Sequence, residues 1–159
     1  MSDAYSERPW LKKYDKNVAP NLKYEEKTFA EKFAETVAKF PDKTALIYMG
    51  RSLSFKEVDA LSNRLANFLI ASGLRPDDVV GLHMPNIPAN YIAFIGVQKA
   101  GCISTGLSPL LTAAEMKHQL IDSGTKLVIT VDILFEKIAE VAAHAPFTTV
   151  VVTEIADFL

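Results

Sequence analysis

The run Gly101-Cys102-Ile103-Ser104-Thr105-Gly106-Leu107-Ser108 has the glycine spacing of a phosphate-binding loop, two glycines with four residues between them and a Ser close behind. In such a loop the lysine after the second glycine brings positive charge to the β and γ phosphates. Leu107 holds that position here. A phosphate loop also opens directly into a helix whose N-terminus faces the phosphates, whereas this run reads as a strand and Pro109 follows it. The motif is therefore read as sheet, not as a nucleotide cradle. Ser123-Gly124-Thr125-Lys126 lies past the C-terminus of a predicted helix, where the dipole repels anions. No GxGxxG dinucleotide fingerprint occurs.

The other reactive residue types are sparse. His83, His118 and His144 have no second His or Cys at the spacing of a helical metal site, so all three are read as structural. Cys102 is the only cysteine, which precludes an internal disulfide, and an apolar setting blunts thiol reactivity. Asp77-Asp78 follow Pro76 in a turn, where adjacent carboxylates do not face each other for acid–base work. One positional expectation survives. Open α/β sheets bind ligands beyond the carboxyl ends of their strands, and that edge should present Asn86, Ser108 and Asp132. No small ligand is expected to bind the isolated chain tightly.

The elements that position these residues follow from periodicity and caps. Residues 1–27 form an irregular N-terminal arm with Pro9, Trp10 and Pro20 as landmarks. Thr28 and Glu31 make a capping box for a helix striped with Phe29, Phe33, Val37 and Phe40, which Pro41 ends. Ala45–Met49 and Ser52–Ser54 flank Gly50-Arg51, which predicts a hairpin with a type II′ turn. Ser54 and Glu57 cap the next helix, which runs to Gly73. Apolar runs at Val79–Met84, Cys102–Leu107, Leu127–Val131 and Thr149–Val152 then alternate with helices over Pro88–Lys99, Ala113–Asp122 and Ile133–His144. Consecutive βαβ units imply a mainly parallel sheet in a three-layer α/β fold, with strands apolar on both faces. The Pro88–Lys99 helix is apolar nearly all round and is expected to be deeply buried.

Composition sets the outer limits. In 159 residues, 49% hydrophobic and 23% charged, there is enough material for one globular core. A net charge of -2 argues against nucleic acid as a partner. The basic residues of the arm are nearly cancelled by its acids, Asp3 included. The longest apolar stretch falls short of the ~20 residues that span a bilayer, and the polar first residues do not resemble a secretory leader. A cytoplasmic location is expected.

Several of these segments carry a resemblance. Leu53-Ser54-Phe55-Lys56-Glu57-Val58 with Asn63-Arg64-Leu65-Ala66, and Met84-Pro85-Asn86 with Phe94-Ile95-Gly96 and Lys99-Ala100-Gly101, resemble blocks near the start of AMP-forming acyl- and aryl-adenylating ligases. Pro109-Leu110-Leu111-Thr112, Glu115–Leu120 and Asp122-Ser123-Gly124 resemble a third block, with Ser108 and Leu111 standing where that family has Asn and Tyr. Arg8-Pro9-Trp10-Leu11-Lys12-Lys13-Tyr14 is similar to the opening of long-chain fatty-acid–CoA ligases. The motifs keep the family's order across almost the whole chain.

The resemblance implies that residues 28–159 are part of the large N-terminal region of such a ligase. The whole enzyme would use ATP, Mg²⁺ and coenzyme A to convert a fatty acid to acyl-CoA through an acyl-adenylate. The family's nucleotide loop and C-terminal lid would lie beyond Leu159, so no catalytic, cofactor-binding or metal residue is carried over. The segment is then a scaffold, inert alone. Its partners would be the remainder of the ligase and, through an uncovered apolar face, a second copy in a homodimer. Peripheral membrane association is compatible with such an enzyme. The alternatives are a stand-alone flavodoxin-like binding or dimerisation module, and a piece of a ligase for a short-chain or aromatic acid.

Overall fold

Three Ser/Thr-x-x-Glu pairs fix where three of the helices begin. A computed structural model describes residues 4–145 and 147–158, so Asp3 lies outside the described residues. After a helical turn α1 (Ala4–Glu7) and a 3-10 turn (Pro9–Lys13) come α2 (Phe29–Lys39) and α3 (Phe55–Ala71), with α5 (Ala113–Asp122) later in the chain. Thr28, Ser54 and Thr112 are their N-caps, and each closes a full capping box with Glu31, Glu57 or Glu115. The cap residue's backbone N–H donates to the glutamate at 2.7–2.8 Å. That donation, with the cap hydroxyl's own, holds all three carboxyls below the ordinary carboxylate range.

The hairpin pairs β1 (Thr44–Tyr48) with β2 (Arg51–Ser54), Tyr48 opposite Arg51. Its two loop residues are therefore Met49 and Gly50, not Gly50 and Arg51. Both have positive φ, 49° and 87°, which is the type I′ geometry rather than the expected type II′. The right-handed twist of the flanking strands selects that turn, and Met49 accepts the left-handed conformation to supply it.

The main sheet contains β3 (Val79–His83), β4 (Ile103–Gly106), β5 (Thr125–Val131) and β6 (Thr149–Thr153) in the order β4-β3-β5-β6, every neighbouring pair parallel. The first strand is thus interior, and the direction of winding reverses around it. Helices α3 and α4 (Pro88–Lys99) cover one face through Ala66, Leu69, Ala93 and Val97, against Val80, Leu82, Leu127 and Ile129. Helices α5 and α6 (Phe135–Ala142) cover the other through Met116, Leu120, Ile138 and Val141, against Val128. The strict alternation along β5 is what a strand sandwiched between two helical layers requires. The expectation of strands apolar on both faces holds for interior β3 and β5. It fails at β4, an edge strand whose Ile103 is 49% exposed. The last predicted helix is shorter than expected, because Asp132–Leu134 is a 3-10 turn.

Helix α4 is buried on most sides, as its composition requires, and meets α3 closely at Gly96. A Cβ at that position would lie 2.9 Å from Leu65 Cδ2 and 3.1 Å from Leu65 Cβ and Cγ. Gly96→Val should therefore cost about 1–3 kcal/mol by overpacking, read as a lower urea midpoint, and Leu65→Ala in the same chain should recover part of it. An unchanged midpoint would refute the close approach. Among the described residues no helix is long and apolar enough to cross a membrane.

Candidate functional site

The connections leaving β3 and β4 lead to helices on opposite faces of the sheet, and a cleft lies at the carboxyl ends of these two strands. The cleft encloses about 720 Å³. Leu82, Met84, Asn86 and Pro88 form its floor and one end, and Gly106, Leu107, Ser108 and Pro109 form a side wall. The hairpin supplies the opposite rim through Leu46, Ile47 and Tyr48, and α4 contributes Tyr91 and Phe94.

Side chains outside the cleft hold the wall that follows β4, and Asn90, which lines the cleft, holds the turn after β3. Lys137 Nζ, from α6, donates to the carbonyls of Pro109 (2.7 Å) and Leu111 (2.9 Å). Gln119 Nε2, from α5, donates to Thr105 Oγ1 (3.1 Å) and to the Gly106 carbonyl (2.9 Å). Asn90 Nδ2 ties down the turn after β3 by donating to the Pro85 carbonyl at 3.2 Å. The Leu110 N–H donates to Ser108 Oγ at 3.3 Å, so that hydroxyl shapes its own turn.

The sequence places two of its three edge residues in this cleft. Asn86 and Ser108 line it. Asp132 does not: its Oδ1 accepts the Ile155 N–H at 3.1 Å and closes the link after β6. The glycine-spaced run ends in the cleft wall, and no helix opens at Ser108, since α5 starts at Ala113. The hairpin rim and the Tyr91–Phe94 face carried no signal in the sequence. Which element faces the sheet edge is a long-range fact that no local pattern encodes.

His83 ends β3 and is fully buried. The Thr130 hydroxyl donates to the His83 carbonyl (3.0 Å), so its oxygen is left to accept from His83 Nδ1 (3.1 Å). That assigns the proton to Nδ1 and a bare lone pair to Nε2, which has no partner among the described residues. Burial, with the Lys137 charge adding to it, lowers the imidazole pKa to about 4. His118 and His144 are exposed. Cys102 is buried just before β4, and burial first, then Asp78 and Asp77, push its thiol up. Asp78 accepts the Arg75 N–H at 2.8 Å and closes a turn.

Among the described residues no charged side chain lines the cleft, and none form a cluster of three potential metal ligands. These residues do not fit a magnesium-bound triphosphate. The cleft can enclose an apolar or neutral polar group by contact and hydrogen bonding.

Comparison with known proteins agrees with the fold. A long-chain-fatty-acid–CoA ligase of Bacillus subtilis (strain 168) is 33% identical over 154 residues, 97% of this chain and 28% of that ligase. A long-chain-fatty-acid-CoA ligase from Archaeoglobus fulgidus superposes with a TM-score of 0.78 at 22% identity, over 84% of this chain and 29% of its own. A fatty acyl CoA synthetase of Mycobacterium tuberculosis gives 0.74 at 26% identity, over 79% of this chain and 26% of its own. This chain therefore spans under a third of each relative's length. The family described as AMP-binding enzyme matches residues 33–158, from the middle of α2 to the 3-10 turn after β6. With most of its length matched in this way, the chain belongs to the AMP-binding enzyme family.

Proposed function

We propose that this chain is the opening scaffold of an AMP-forming fatty-acid–CoA ligase. In the whole enzyme a long-chain carboxylic acid and ATP would give an acyl-adenylate and pyrophosphate, and the coenzyme A thiolate would then displace AMP. The observation that carries this reading is the match to the B. subtilis ligase over 97% of the chain. It spans 154 of 159 residues, so it runs through the N-terminal arm as well as the sheet. The role of the segment is to hold the cleft walls and helical layers against which the rest of the enzyme packs. Its described side chains bring neither a phosphate-neutralising charge nor a general base to the cleft.

Two assays test this. The chain alone, given ATP, Mg²⁺, palmitate and coenzyme A, should release no pyrophosphate; release above blank would overturn its inertness. Exchanging it for the matching segment of the B. subtilis ligase should give a folded chimera that still makes palmitoyl-CoA. A folded chimera that made none would overturn the scaffold reading. One that preferred benzoate or acetate would overturn the long-chain assignment.

A further inference from the structure

The charges of the N-terminal arm are not evenly mixed once folded. Residues 8–23 carry Arg8, Lys12, Lys13, Lys16 and Lys23 against the single acid Asp15, in a protein whose net charge is -2. Arg8 closes this stretch into a loop: Nη1 donates to Asn21 Oδ1 (2.7 Å) and Nη2 to the Pro20 carbonyl (3.0 Å). A loop of this length with joined ends is an Ω-loop. Its base is pinned separately. Glu25 pairs with Lys27 (3.2 Å) and Lys32 (2.5 Å), and Glu35 on α2 pairs with both lysines. Glu25 is thereby spent on the base, and Glu7, Asp15 and Glu26 remain beside the loop's four lysines and Arg8.

The same loop displays apolar side chains. The Pro9–Lys13 turn buries none of its residues. Trp10 is 38% exposed and Leu22 is 67% exposed, with Tyr14 and Val18 exposed between them. The Tyr5 ring meets Trp10 edge-on at 5.9 Å, which orients the indole. Tryptophan and tyrosine among lysines is the composition of side chains that sit at a lipid headgroup boundary, rings in the acyl margin and ammonium groups among the phosphates. The arm also lies outside the part common to the family, which starts at residue 33, yet inside the match to the B. subtilis long-chain ligase.

We propose that the Arg8-closed loop is a docking device for an anionic lipid surface, with Lys12, Lys13 and Lys16 reading the charge and Trp10 entering the interface. This rests on the long-chain reading only for its purpose, which is to hold the enzyme where its water-insoluble substrate accumulates. The loop contributes nothing to the core, so its variants keep the fold, and circular dichroism verifies that.

Trp10 is the only tryptophan, so its emission reports on this loop alone. With vesicles of equal parts phosphatidylglycerol and phosphatidylcholine, the chain should co-sediment. Trp10 emission should move to the blue and be quenched by brominated acyl chains. Pure phosphatidylcholine should bind far less. Lys12→Gln, Lys13→Gln and Lys16→Gln together should lower partitioning roughly a hundredfold, at about a factor of five per lysine near an anionic surface with some loss to screening. The proposal is overturned if anionic vesicles fail to sediment the chain at low salt. Sedimentation without a change in Trp10 overturns it too, as does a triple variant that binds like the parent chain. A Trp10 shift that depends on protein concentration and not on lipid would instead make the loop a contact between copies, and would equally overturn it. Failure here with an active chimera would sink only the lipid inference. Lipid binding with an inactive chimera would sink only the ligase reading.

Discussion

Replacing Lys99 with methionine should cost about 2–3 kcal/mol and lower Tm by about 5–10 °C. The Lys99 side chain is 12% exposed and sits in the last turn of α4, where the helix dipole favours a cation. Its ammonium lies 2.6 Å from Asp59 Oδ1, 2.9 Å from Ser62 Oγ and 2.7 Å from Asn63 Oδ1, all on α3. It also stands 5.3 Å from the centre of the Phe33 ring on α2. One charge thus fastens three helices. Methionine keeps the aliphatic stem but leaves Asp59 without its counter-charge and Ser62, which is fully buried, without a donor. Asp59 is 29% exposed, so water recovers part of the loss and the estimate sits below that for a wholly buried pair. Arginine should not restore stability, because a planar guanidinium cannot converge on the same acceptors. Asp59→Asn combined with Lys99→Met should cost less than the sum of the two single changes. A Lys99→Met chain unfolding at the parent's urea concentration would refute the fastening role.

Acid should weaken the fold in two separate steps, the first belonging to His83. An unfolded histidine titrates near 6.5, while the buried ring does so at about 4. Between those values the unfolded chain takes up a proton that the folded chain refuses, so stability falls as pH drops across the window. The loss should reach about 2–3 kcal/mol by pH 4 and then level off for this group. The capping glutamates Glu31, Glu57 and Glu115 act lower. The backbone and hydroxyl hydrogen bonds of the caps hold their carboxyls below the ordinary carboxylate range, so their contribution is present above that range and disappears as they protonate. His83→Leu should erase the step between pH 6.5 and 4 and leave the lower one. Urea titrations at a series of pH values decide this, and a His83→Leu chain with the parent's slope in that window would exclude the assignment.

How much of this was legible in the sequence depended on the range of the interaction. The capping boxes of α2 and α3 read correctly, partner for partner, because cap and glutamate are three residues apart and share one helical turn. The burial of α4 was legible from the absence of a polar side, and the parallel sheet from alternation of short apolar runs with helices. The hairpin was legible as an element but not in register. Met49 is an unusual residue for a left-handed turn position, and Gly50 alone admits either placement. Strand order was not legible, since nothing local in Val79–His83 states that both its neighbours come later in the chain. The cleft was half legible for the same reason. Strand ends located Asn86 and Ser108, but only the folded hairpin supplies the facing rim, and only the link after β6 withdraws Asp132. Lys99 drew no attention to its role, because a lone lysine closing an apolar helix has no pattern to announce that its acceptors lie some forty residues upstream.

The interior position of β3 sets a timetable for synthesis. When Val79–His83 leaves the ribosome, neither flanking strand has yet been made, and β6 follows only after roughly 70 more residues, some 3–15 s at ordinary translation speeds. Helix α3 already exists by then and α4 comes next, so this pair can shelter one side of the nascent strand almost at once. The other side stays open until α5 and α6 emerge. A chaperone that captures apolar segments on the growing polypeptide should therefore find its longest-lived target on that second side.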